Sequence, residues 1–344
     1  MRIVVMGTGP FAVPTFRWLL GSSHEVPALI TRPSKTSRRR SSPARNPMRD
    51  VAESASIAVH CPESINADEA LNLLESLEPE LLVVCDYGQI LSKATLATPE
   101  LGGINLHASL LPAYRGAAPI NWAMFDGCAE TGVSVIHMTP KLDGGPILVV
   151  KSTPIRDDED AAVLEVRLAE IGVTAVAESI ELLVAWDRHS QIGMMQDQDR
   201  ATRAPRLTKN EGAVDWSRSA TQLAQQVRAF QPWPGSFTFW KRDQGEPLRL
   251  VLEKTSVEQS DTTGEQSPGS MGEQPPGSMG QAPGNIVTAA GDHLVVATGD
   301  GLLRIDQIRP AGKRVMTAAE FLRGNPIKVG DLLSGASPSR TVND

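Results

Sequence analysis

The run Leu81-Leu82-Val83-Val84-Cys85 carries no polar side chain at any position, and this limits the folds open to the chain. A strand with one wet face alternates apolar and polar residues. A strand apolar throughout is covered on both faces, as in a parallel sheet with helices above and below. Arg2–Met6 and Val26–Thr31 read as strands of the same sheet, separated by Gly7-Thr8-Gly9 and a helical stretch to about Leu20. Asn66–Leu77 is predicted as a helix, with Asn66 as N-cap and acids in its first turn. Gly103–His107, Val133–Met138 and Ile147–Val150 supply further strands, and Glu159–Trp186 one long helix. This alternation predicts an α/β fold with a Rossmann-like, mainly parallel sheet.

Residues 1–186 are therefore expected as one domain. From 187 to 205 the periodicity lapses and polar residues dominate, which reads as a linker. Residues 206–333 change character. A helix near Ser219–Phe230 is followed by short strands at Ser236–Trp240, Leu248–Leu252, Asn285–Thr288, His293–Ala297 and Leu302–Ile308. That spacing predicts a small β-barrel. It is interrupted at 258–284, where GEQSPGSM, GEQPPGSM and GQAPG repeat without an apolar period; the segment reads as a disordered insertion. Residues 334–344 form a tail.

No stretch approaches the roughly 18 consecutive apolar residues of a membrane span, and MRIVVMGTGPFAVP lacks the organisation of a signal peptide. A cytoplasmic protein without a membrane partner is expected. Cys61, Cys85 and Cys128 form no Cys-x-x-Cys pair, so neither a disulfide framework nor a metal site is expected. The net charge of −7 falls wholly on residues 1–205, whereas 206–344 balance. Outside its acidic insertion the second part is basic, so a nucleic-acid partner is not excluded.

Gly7-x-Gly9-x-x-Ala12 matches the dinucleotide fingerprint between a strand and a helix. The end of the second strand reads Thr31-Arg32-Pro33, without the acid that holds a ribose. The motif alone specifies a tight strand-to-helix turn open to close backbone approach without naming a ligand, and an NADP-binding oxidoreductase is the minor alternative. The denser region runs from Leu101 to Pro146. Asn105 and His107 lie two apart on a strand and leave it on the same face, and the glycines after Asp143 would let its carboxylate reach back to His107. An amide donor with an acid-oriented imidazole suits acyl transfer to an amine. Turn caps at Asn105 and Asp143 beside an ordinary polar His107 satisfy the spacing equally, and spacing does not choose between them.

The runs Asn105-Leu-His107-Ala-Ser109-Leu-Leu-Pro112, Tyr114-Arg115-Gly116-Ala-Ala-Pro119 and Leu142-Asp143-Gly-Gly145 resemble the folate-dependent formyltransferases. MGTGPFAVP, Leu207-Thr208-Lys209, Val214-Asp215-Trp216, Pro232-Trp233-Pro234-Gly235 and Ala311-Gly312-Lys313 extend the resemblance over about residues 1–333. It implies a formyltransferase domain followed by an oligonucleotide-binding-like barrel. The implied reaction moves the formyl group of 10-formyltetrahydrofolate to the α-amine of initiator methionyl-tRNA. Asn105, His107 and Asp143 would be catalytic, without a metal, and Ser109, Leu110, Leu111 and Pro112 would line the folate site. The loop Arg32–Arg49 would meet tRNA through Arg38, Arg39, Arg40 and Arg45, and the barrel through Lys209, Lys313 and Arg314. A monomer is expected. An amino-sugar acceptor with the same folate donor is the alternative.

Overall fold

The structure, a computed structural model, describes residues 1–33, 46–242, 245–258 and 281–335. In chain order the first part contains β1 (Ile3–Gly7), α1 (Val13–Leu20), β2 (Ala28–Ile30), α2 (Pro47–Ser54), β3 (Ala58–His60), α3 (Asp68–Ser76), β4 (Leu81–Cys85) and α4 (Lys93–Ala97). It continues with β5 (Gly103–His107), β6 (Arg115–Gly116), α5 (Pro119–Phe125), β7 (Glu130–His137), β8 (Ile147–Pro154), α6 (Ala161–Val184) and β9 (Arg203–Ala204). Seven strands form one sheet in the order β3-β2-β1-β4-β5-β7-β8. The pairings from β3 to β5 are parallel, whereas β5–β7 and β7–β8 are antiparallel. Every residue of β1 and β4 is buried, as their apolar runs require. The chain leaves β1 for β2 and β3 on one side and returns to β4 and β5 on the other. The C-terminal ends of β1 and β4 therefore flank the crevice at which ligands enter such sheets.

Helix α6 packs along β7 and β8, capped at Asp160, whose side chain accepts from Val163 N at 2.9 Å. At Gly172 this helix meets β5 so closely that a Cβ would lie 2.6 Å from Leu106 Cδ2. Leu106 stands between Asn105 and His107, so the small residue on α6 sets the depth of the strand that carries both. Helix α2 falls at the end of the expected basic loop, with Asn46 accepting from Arg49 N at 3.1 Å and Pro47 in the first turn. Asn66 does not cap α3, whose N-cap is Ala67. Its Oδ1 instead accepts from Ser92 N at 2.8 Å and Thr95 Oγ1 at 2.7 Å, tying α3 to the start of α4.

Clustering of the chain gives two units, Met1–Ala123 with Cys128–Arg206, and Met124–Gly127 with Leu207–Asp344. Residues 187–205, expected as a linker, belong to the first. Met194 pairs with Ile147 and β9 runs parallel to β6. Polar composition there reflects side-chain hydrogen bonding rather than detachment. The second unit contains α7 (Ala220–Ala229), β10 (Ser236–Trp240), β11 (Leu248–Val257), β12 (Ile286–Ala290), β13 (His293–Ala297), β14 (Leu302–Pro310), β15 (Met316–Thr317), α8 (Ala318–Gly324) and β16 (Leu333–Ser334). Its antiparallel sheet, ordered β12-β13-β14-β11-β10-β16, curls until its ends meet: Ile286 N donates to Asp331 O and Leu333 N to Gly284 O, both at 2.9 Å. Trp240, Leu250, Leu294, Ile305 and Phe321 fill the curl. Most of the repeat insertion and of the tail lies outside the described residues. Among the described residues no helix is long and apolar enough to cross a membrane.

Gly172→Val would force branched carbon into Leu106. It is expected to destabilise the first unit by about 1–3 kcal/mol in urea unfolding, the usual cost of overpacking.

Candidate active site

Strand β5 ends in the core, and the side chains of Asn105 and His107 leave the same side of it. After His107 the chain turns tightly. Ser109 Oγ donates to Ala113 O at 2.6 Å, while Ser134 Oγ donates to Ser109 O at 2.7 Å and accepts from Leu111 N at 3.1 Å. The turn delivers Tyr114 in a left-handed conformation (φ +61°). Its carbonyl lies 2.9 Å from His107 Nε2. A carbonyl only accepts, so Nε2 carries the hydrogen and donates, which fixes the ring. His107 is 6% exposed.

The other ring nitrogen, Nδ1, faces Asp143 Oδ2 at 3.8 Å. That oxygen accepts from Gly116 N at 2.9 Å, and Oδ1 lies 3.5 Å from Asn105 Nδ2. The carboxylate thus reaches back to both β5 residues. Asp143 is itself left-handed (φ +47°). Two residues on, a Cβ at Gly145 would lie 1.9 Å from His137 O, so only glycine lets this loop lie against β7. The loop is pinned by a residue that sequence reasoning missed. Gln196 is buried and donates from Nε2 to Asp143 O at 2.8 Å and Gly145 O at 2.7 Å. Its Oε1 accepts from Arg115 Nε at 3.1 Å. Arg115 begins β6, which holds Gly116 against β9. No local signal marked Gln196, because its partners lie about 50 and 80 positions earlier.

Asn105, His107 and Asp143 open onto a cleft of about 520 Å³, also walled by Thr8, Gly9, Arg32, residues 86–91 and Glu165. This is within the range of roughly 300–1,000 Å³ that buries a small organic ligand. Tyr87 lies in that wall, its hydroxyl buried without a hydrogen-bond partner. Burial pushes the phenol up to about 12, so it stays a donor. Ser109, Leu110, Leu111 and Pro112, expected to line the folate site, form the turn that follows His107. Ser109 is fully buried and spends its hydroxyl within the turn that delivers Tyr114. Among the described residues no three His, Cys, Asp or Glu side chains gather as metal ligands.

Arg38, Arg39, Arg40 and Arg45 lie outside the described residues. Lys209 and Lys313 are exposed on the second unit. Arg314 is exposed but committed: its Nη2 donates to Glu320 Oε1 at 2.7 Å, and that hydrogen bond is the chief reason the Glu320 carboxyl falls to about 2.

Two family profiles match the chain, one described as formyl transferase over residues 1–180 and one as formyl transferase, C-terminal domain, over residues 206–326. A relative in Rhodopirellula baltica named methionyl-tRNA formyltransferase is 42% identical over 343 residues, covering 97% of this chain and 96% of the relative. One of the same name in Halalkalibacterium halodurans is 36% identical, covering 98% and 100%. Among solved structures, HypX from Aquifex aeolicus in complex with tetrahydrofolic acid aligns with a TM-score of 0.57 at 16% identity, over 97% of this chain and 50% of that one. WlaRD, a sugar 3N-formyl transferase solved with dTDP and 5-N-formyl-THF, gives 0.59 at 14% identity, over 91% and 99%. At such identity the two structures speak to fold alone.

Gln196→Leu should leave the Asp143 and Gly145 carbonyls unsatisfied, at about 1–3 kcal/mol for each buried group. Faster amide exchange over residues 143–147, with a lowered unfolding midpoint, is the expected observation. Unchanged exchange there would show that the loop holds without its pin.

Proposed function

The chain belongs to the formyl transferase family, and on that premise we propose that it transfers the formyl group of 10-formyltetrahydrofolate to the α-amine of initiator methionyl-tRNA. The observation that carries the reaction is the convergence of Asn105, His107 and Asp143 on one cleft. The acceptor follows from the name borne by relatives matched over nearly their whole length.

The donor supplies an activated formyl carbon. The incoming amine adds to it, the bond to the folate nitrogen breaks, and one proton passes from the amine to that nitrogen. The protein's part is to stabilise the oxygen that becomes negative in between and to manage the proton. Asn105 offers an amide donor whose contact with Asp143, at 3.5 Å, is slack enough to give up. His107 is oriented by the bond from Nε2 to Tyr114 O, leaving Nδ1 toward the cleft. Asp143, with one oxygen anchored by Gly116 N, is the counter-charge for a ring carrying both protons. It also offers an oxygen through which the amine's proton can leave. Ser109–Pro112 hold the turn that fixes Tyr114, and the same segment is assigned to the folate site.

Arg38, Arg39, Arg40 and Arg45 are assigned to tRNA phosphates, with Lys209 and Lys313 on the barrel. Arg314, paired with Glu320, is the weaker candidate. An amino-sugar acceptor is supported only by a likeness of fold at 14% identity.

The test is formyl transfer by the purified protein from 10-formyltetrahydrofolate to initiator methionyl-tRNA, with elongator methionyl-tRNA as control. Transfer to the initiator alone is expected; folate binding without transfer to either tRNA would overturn the acceptor. Asn105→Ala should lower kcat by about a hundredfold to a thousandfold, the effect of removing one oxyanion donor, with little change in tRNA binding. Arg38–Arg40 replaced together by Ser should raise the KM for tRNA and flatten its salt dependence. A KM that does not move would remove the loop from the tRNA interface.

A further inference from the structure

The Gly7-x-Gly9-x-x-Ala12 turn has no part in the reaction described above, although it sits at the mouth of the same cleft. In a dinucleotide-binding sheet such a turn presents backbone N–H groups to a phosphate. Here something already lies there. The carboxylate of Asp86 rests on Gly9 so closely that a Cβ on that glycine would fall 1.7 Å from Asp86 Oδ2, and the Gly9 N–H donates to the carboxylate. Gly9 follows β1 and Asp86 follows β4, so the side chain spans the crevice where the strand order reverses. To do so Asp86 adopts a left-handed conformation (φ +48°).

The surrounding charge accords with this placement. Arg32, at the end of β2, lies across Gly88, its Nη1 3.0 Å from where a Cβ on that glycine would stand, and its charge acts on Asp86. Arg206 adds a second positive charge. Even so, partial desolvation raises the pKa of Asp86, and burial followed by the charge of Asp86 raises that of Glu165 in the same wall. The two arginines thus face two carboxylates in the same crevice, so their charge is already answered within the protein.

We propose that Asp86 is an internal anion occupying the phosphate position of the glycine turn, and that it thereby determines which amines this cleft accepts. An acceptor whose phosphate lies beside the amine, such as a small phosphorylated amine, meets a filled site and a like charge. An aminoacyl ester, whose nearest phosphate is a ribose away from the amine, does not. The occupancy of the turn stands on geometry; the acceptor named here rests on the formyl-transfer reading.

The experiment compares the wild-type chain with Asp86→Gly and Asp86→Asn, using inorganic pyrophosphate as probe in equilibrium dialysis and as an inhibitor of formyl transfer. Glycine suits the left-handed backbone and removes the carboxylate; asparagine keeps the shape and tolerance of that backbone without the charge. The wild type should bind pyrophosphate no better than about millimolar. Asp86→Gly should bind at least tenfold more tightly, and pyrophosphate should then compete with methionyl-tRNA. Asp86→Asn should fall between. Wild-type thermal stability in Asp86→Gly without any gain in binding would overturn the proposal, as would tight binding by the wild type. If Asp86→Gly does not fold, the asparagine variant decides: a gain supports the proposal and no gain overturns it. Failure of the wild type to formylate methionyl-tRNA would retire the acceptor reading while leaving the binding comparison intact.

Discussion

The carboxylate of Asp143 cannot be left bare. Its side chain is 11% exposed, and an ionised group so far from water needs hydrogen bonds or countercharge on every side. Much of the first unit is arranged to supply them. Gly116 gives a backbone N–H, Asn105 an amide and His107 an imidazole. The backbone beneath is held by Gln196, and Gln196 by Arg115. The supports come from β5, from β6 and from the segment before β9 that carries Gln196, so the site forms only when these and the loop after β7 are all in place. The geometry of the candidate site and local stability are here the same set of contacts.

The longer strands and the three converging side chains were legible in the sequence because their signals are local, whereas the short strands β3, β6 and β9 were not. An unbroken apolar run marks a doubly covered strand, a two-residue spacing puts Asn105 and His107 on one face, and glycines beside Asp143 announce a close turn. What was illegible is long-range. Residues 187–205 look like a tether because their polar side chains are matched to partners far back in the chain, as Gln196 shows. The hydroxyl of Ser109, bonded to a carbonyl four residues on, is a turn element, and only the folded chain shows that it is spent this way. Asn66 failed as a cap for a related reason: its amide found better partners across 26 and 29 residues.

The second unit was read from strand spacing, and strand spacing is what the curled sheet preserves. Its chemistry is less simply read. A tally of charges treats Lys313 and Arg314 alike, but the guanidinium of Arg314 is committed to Glu320, which closes the capping box of α8 with the N-cap Thr317. An arginine that completes a helix cap has less to offer a phosphate than a lysine with its ammonium in water. Electrostatic capacity for a polyanion therefore depends on which basic groups are uncommitted, and that depends on the fold.

The same distinction applies to the glycine fingerprint. Its glycines specify a tight turn between a strand and a helix and permit close approach to the backbone; they do not specify what approaches. In this chain the approaching group comes from residue 86, three strand crossovers on and some 77 positions away. No inspection of residues 7–12 reveals it. A phosphate and a carboxylate ask the same thing of a backbone N–H, so a protein can keep the turn for its geometry and answer its hydrogen-bonding demand internally. The motif then continues to order the sheet's ligand-binding edge, while the identity of the ligand passes to the side chain that fills it.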